Sequence, residues 1–149
     1  MVVKIRLSIL VVVAMALSGC SAEADRVRIE SPWILEAPGG TDNMAGYGVL
    51  RNSSSDAVVI ESVDSPAFED VHLHETSIED GQARMAPVDS LTLPAGGRAV
   101  MRPGGLHLML MSPVRMLERG DSARIRFHLS DGATLTAEFV VRSAPPERQ

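Results

Sequence analysis

Cysteine and lysine are nearly absent from this chain: Cys20 and Lys4 are the only examples in 149 residues. A single cysteine excludes an intrachain disulfide. Basic charge is scarce as well. From residue 20 onward, 12 arginines face 19 Asp and Glu, a net charge of −7. That excludes nucleic acid, whose phosphates need a basic patch, and electrostatic attachment to anionic lipid. A cation is the easier ligand to accommodate. The one long apolar run, about Leu7 to Leu17, is too short to span a membrane comfortably. There is no internal repeat, no long charge run and no convincing helix; "MLER" (116–119) offers one helical turn at most.

What is present begins with "MVVKIRLSILVVVAMALSGC". A short basic start, an apolar stretch and small residues ahead of a cysteine make a secretory signal peptide. "LSGC" resembles a bacterial lipobox, in which the cysteine becomes the lipidated first residue. The expected organisation is a lipoprotein signal peptide at 1–19, lipidated Cys20 with a short tether through 26, a folded domain at 27–142 and a disordered tail at 143–149. The 130 residues after the signal suit one domain with a single core. A diacyl or triacyl anchor is enough for stable attachment to a membrane. The expected location is the bacterial cell envelope, facing the periplasm or the exterior.

Alternation and turn residues fill the rest. "VRIE" (27–30), "AGYGVLRN" (45–52), "AVVIESV" (57–63), "DVHLHE" (70–75), "ARIRFHL" (123–129) and "ATLTAEFVV" (133–141) read as strands, and residues 90–111 as three short ones split by Pro-Gly turns. "SPWILEAPGGTDN" and "GQARMAPVD" read as loops. Short strands at this spacing predict an all-β antiparallel sandwich or barrel.

Two strands carry residues that a solvated face rarely has. In "LHLMLM" (106–111) the leucines take one face, and His107, Met109 and Met111 the other. In "DVHLHE", Val71 and Leu73 share one face while His72 and His74 share the other. His107 and Met109, two apart on a strand, are placed to reach one ion. His74 on a paired strand and Met85 from a neighbouring loop complete the candidate set. Met44 and Met101 read as packing. His128, beside Arg124 and Arg126, reads as part of a solvated face. Asn52-Ser53-Ser54 matches a glycosylation sequon, which the bacterial lipobox discounts.

The pattern H-x10-M-x21-H-x-M, formed by His74, Met85, His107 and Met109, resembles the signature of the periplasmic copper chaperones of the PCu(A)C family. "HLHET", "MAPVDSLTLPAGG" and "RPGGLHLMLM" are also similar to that family, and the resemblance spans about Trp33 to Val141. It departs at "WILEAPGG", where the family usually has an arginine-bearing stretch and a proline-rich turn. The resemblance implies a cupredoxin-like β-sandwich of Greek-key type that binds Cu(I) through two His and two Met. His72 is a possible auxiliary ligand, and Met111 a hydrophobic hood or a further auxiliary ligand. Donor chemistry agrees: neutral thioethers suit Cu(I) and bind Ca²⁺, Mg²⁺ or Mn²⁺ poorly, and zinc rarely accepts methionine. Without a cysteine in the domain, the His₂Cys set of a blue electron-transfer site is missing.

No nucleophilic cysteine lies in the domain and no G-x-S-x-G occurs, so the expectation is a binding protein and not an enzyme. The resemblance implies a metallochaperone that delivers copper to the binuclear copper site of cytochrome c oxidase, with a Sco-type thiol-disulfide protein as a further partner. The alternatives are copper sequestration without a dedicated recipient, a copper-dependent redox enzyme, and a metal-free adhesion module.

Overall fold

The computed structural model describes residues 26–37 and 43–145. Expectations for the signal segment, Cys20 and the last four residues lie outside these. Alternating sequence becomes ten strands: β1 (Val27–Leu35), β2 (Met44–Asn52), β3 (Val58–Asp64), β4 (Phe68–Glu79), β5 (Gln82–Pro87), β6 (Leu91–Leu93), β7 (Arg98–Met101), β8 (Leu106–Pro113), β9 (Ser122–Leu129) and β10 (Thr134–Arg142). They form one sheet in the order β5-β4-β8-β2-β1-β10-β9-β3-β6, with β7 added beside β2. One side of each strand in the body of the sheet feeds a single core that contains Ile34, Leu50, Ile60, Leu108, Phe127 and Phe139, all fully buried. Each such side chain contributes roughly 1.5–3 kcal/mol on leaving water. The all-β expectation is met.

The pairing is antiparallel throughout with one exception: β1 and β10 run parallel, Trp33 beside Val140 and Leu35 beside Arg142. The two ends of the domain are thereby joined side by side, a pairing that alternation alone does not reveal.

The first strand is longer than expected. It continues through "SPWIL", which reads as loop because Pro32 lacks an N–H and usually ends a run. A register shift between Glu30 and Trp33, with Ser31 at φ 48°, absorbs the interruption. Such a bulge exchanges the two faces of a strand. Val27 and Ile29 face the core before it; Ile34 does so after it, opposite Gly46. Trp33 and Leu35 therefore turn to the other side, beside Tyr47 and Ala45.

Four smaller features complete the fold. "GQARMAP" is a strand, β5, paired to β4 through a turn at Asp80-Gly81, both with positive φ. Residues 116–119 form no helical turn. His128 is held by Asp64, to which Arg126 also binds, so this face is an ion-paired strip. Asn52 of the sequon is 2% exposed, and its Nδ2 donates to the carbonyls of Asp56, Leu93 and Pro94. It is a structural clamp out of reach of a glycosyl group.

Candidate metal centre

Register places the expected residues on the outer side of β5-β4-β8-β2-β1. His74 lies directly opposite His107, and His72 opposite Met109, across β4 and β8. Met109 in turn faces Ala45 of β2. Met85 of β5 faces Thr76, two residues beyond His74 on the same face of β4. Met85, thought to come from a loop, is thus fixed by a hairpin. Met111 continues the row on β8, half-buried, opposite Asp70.

This outer side is not an ordinary solvent face. His107 is only 5% exposed, and Tyr47 packs near it, with ring centroids 6.5 Å apart. Trp33 lies 4.8 Å from Tyr47. The bulge in β1 brings the chain's single tryptophan against its single tyrosine, beside the histidine. Sequence reading gave neither aromatic a role; their being unique was the available signal.

The turn between β7 and β8 orients His107. Arg102 and Leu106 close it by a backbone hydrogen bond of 2.8 Å, and Gly104 sits at φ +74°, a conformation suited to glycine. The Gly105 carbonyl then lies 2.9 Å from His107 Nδ1. A carbonyl only accepts, so Nδ1 carries the proton and Nε2 keeps a free lone pair. The same oxygen accepts the Thr76 N–H at 3.1 Å, tying the turn to β4.

His74 stands edge-on to His107, with centroids 6.1 Å apart and planes at 83°. Among the described residues, its Nδ1 is the one buried side-chain nitrogen or oxygen without a hydrogen-bond partner. Such an orphan is costly unless something occupies it. Burial, and after it the neighbouring imidazoles of His107 and His72, hold His74 below the ordinary histidine range. Burial also raises the Tyr47 phenol.

An open cleft of about 310 Å³ lies over this face, lined among others by Tyr47, Thr76, Met85, His107 and Met109. His74 does not line it and reaches the group beside His107. His72 is exposed, with its ring 6.3 Å from that of His74. Among the described residues, no three His, Cys, Asp or Glu side chains gather closely enough to hold a metal. The three histidines thus do not make a site of their own, and a four-coordinate site here needs the thioethers. Two imidazoles and two thioethers, all neutral donors, fit a soft monovalent ion.

The family described as "Putative lipoprotein LpqE-like" matches residues 27–141. The chain belongs to the LpqE-like family. A relative in Leifsonia xyli, "Putative lipoprotein Lxx21020", is 28% identical over 142 residues, covering 87% of this chain and 84% of its own. Among solved structures, the Cu(I) form of DR1885 from Deinococcus radiodurans is 27% identical, with a TM-score of 0.64, over 82% of this chain and 83% of that one. The copper-bound PCuAC domain of PmoF2 has a TM-score of 0.66 at 24% identity, over 80% and 94%, and shares the fold. The resemblance to the PCu(A)C family is borne out at the level of family and fold.

Proposed function

We propose that this LpqE-like protein is a copper metallochaperone that binds one Cu(I) through His74, Met85, His107 and Met109 and passes it to another protein. The observation that carries the reading is the His74–His107 pair. One imidazole is locked with Nε2 free; the other has a buried, unpartnered nitrogen; two thioethers lie on the same face. The solved Cu(I) form of DR1885, which shares this fold, supports copper as the cargo. Neutral ligands leave the complex at +1, which suits a domain of strongly acidic balance. They also hold Cu(I) less firmly than thiolates, as delivery requires.

Lipidation at Cys20 would fix the protein to the envelope with its domain facing the periplasm or the exterior; the Leifsonia relative's description as a lipoprotein supports this. The recipient proposed from the family resemblance is the binuclear copper site of cytochrome c oxidase, with a Sco-type partner. The test is oxidase activity in a deletion strain at limiting copper. Activity should fall and be restored by the wild-type gene, but not by a Met85→Ile, Met109→Ile variant. An unchanged oxidase combined with loss of copper tolerance would support sequestration instead.

A further inference from the structure

The four residues assigned to copper are held with very different firmness. His107 is buried, and its ring is pinned by the Gly105 carbonyl. Met109 is half-buried on β8, an interior strand with β4 on one side and β2 on the other. His74 is on β4, also interior, with a buried Nδ1. Met85 is different. It is 52% exposed on β5, the edge of the sheet, a strand whose one partner among the described residues is β4 and whose six residues are all exposed.

We infer that Met85 is the exchange ligand, the one that leaves copper first when an acceptor arrives. The inference rests on the copper-binding reading and adds the order of events. Releasing His107 breaks its alignment with Gly105, and releasing Met109 or His74 disturbs an interior strand. Releasing Met85 moves one solvated side chain on a strand with a free edge, where local opening costs least. Of the assigned donors that line the open cleft, His107, Met109 and Met85, Met85 is the most exposed, so an incoming donor reaches the ion from its side. A thioether is neutral and carries no proton. One Cu–S bond breaks as one bond from the acceptor forms, copper stays Cu(I), and a thiol acceptor gives its proton to water. The two imidazoles and Met109 hold the ion meanwhile, and three-coordination is acceptable to a d¹⁰ ion.

Kinetics separate a ligand that has left in the transition state from one that has stayed. Removing the first destabilises only the bound state; removing the second destabilises the bound state and the transition state together. This is the logic by which mutational effects are divided between forward and reverse rates. The experiment measures Cu(I) affinity by competition and the rate of transfer to excess chelator by stopped flow. The proteins are the wild type, Met85→Leu and Met109→Leu, each checked for folding by thermal unfolding; leucine conserves volume. In Met85→Leu, the transfer rate should rise by the same factor as the dissociation constant. In Met109→Leu, the dissociation constant should rise while the transfer rate stays nearly unchanged. The reverse pattern, equal partition in both variants, or an unaltered affinity in Met85→Leu would overturn the inference. A wild-type protein that binds no Cu(I) overturns the copper reading itself, and that is seen before any variant is compared.

Discussion

The Gly105 carbonyl and the His107 ring form a single orienting unit: the oxygen accepts a hydrogen bond from Nδ1–H at 2.9 Å, while the Thr76 amide holds the oxygen in place at 3.1 Å. A metal-binding histidine commonly has such a partner on its second nitrogen, and removing the partner typically costs about tenfold to a hundredfold in affinity. The unit depends on the backbone of the preceding turn.

Gly104→Ala should therefore lower both stability and copper affinity. At φ +74° a Cβ is strained although nothing crowds it, and the cost is roughly 1–2 kcal/mol. Gly105→Ala should be near neutral, since its Cβ would meet Arg102 Cγ at an ordinary 3.5 Å. Thermal unfolding and Cu(I) competition on the two variants check this; equal effects would mean that the turn does not set the histidine.

Met109→Ile removes a soft donor and keeps an apolar side chain of similar volume. Folding stability should change by less than about 1.5 kcal/mol, while Cu(I) affinity falls by more than about tenfold, or 1.4 kcal/mol. The double variant Met85→Ile, Met109→Ile should fall further. Equal affinity in wild type and double variant would sink the ligand set.

Copper binding should weaken in acid. Imidazole donates only when neutral, and its ordinary pKa is about 6.5. His74 is held below that range, so protons displace copper from it only in more acid solution than from a free histidine. Each imidazole that must lose a proton to bind adds up to about tenfold per pH unit to the fall in affinity in acid. Above about pH 7.5 it should level off, whereas a thiolate site would keep gaining. A chelator competition from pH 5 to 9, corrected for protonation of the chelator, gives the curve; a steep climb through pH 8 would rule out this donor set.

Cys20→Ala should release the protein from the membrane fraction or leave it unprocessed. Detergent partitioning and mass analysis of the N-terminus read this out. A wild-type protein found in the aqueous phase with an unmodified N-terminus would defeat the lipobox reading.

Much of the architecture is legible because alternation is a local signal. "LHLMLM" and "DVHLHE" announce two strands with histidine on one face, and both are present with that parity. Their direct pairing, which sets His74 against His107, is a long-range fact that spacing alone does not carry. The segment around Met85 reads as loop because glycine at 81 and proline at 87 bracket a short, polar stretch; a fully exposed edge strand has no apolar face to betray it. Trp33 and Tyr47 were missed at the site for a different reason. Only the bulge at Ser31 turns Trp33 away from the core, and no periodicity survives a bulge. The Gly105 carbonyl escaped because a backbone acceptor leaves no mark on residue type.

The bulged first strand also separates the proposed point of attachment from the proposed cargo site. Val27 starts it, a few residues after Cys20, and Leu35 ends it at the rim of the cleft. Its eight steps at about 3.3 Å each make a rod of roughly 26 Å. A lipid on Cys20 would act as a pivot at one end of that rod, with the ion carried at the other. With Cys20 lipidated and copper held as proposed, the anchor and the ion would stand apart by at least the length of that strand, and exchange would take place away from the anchored end.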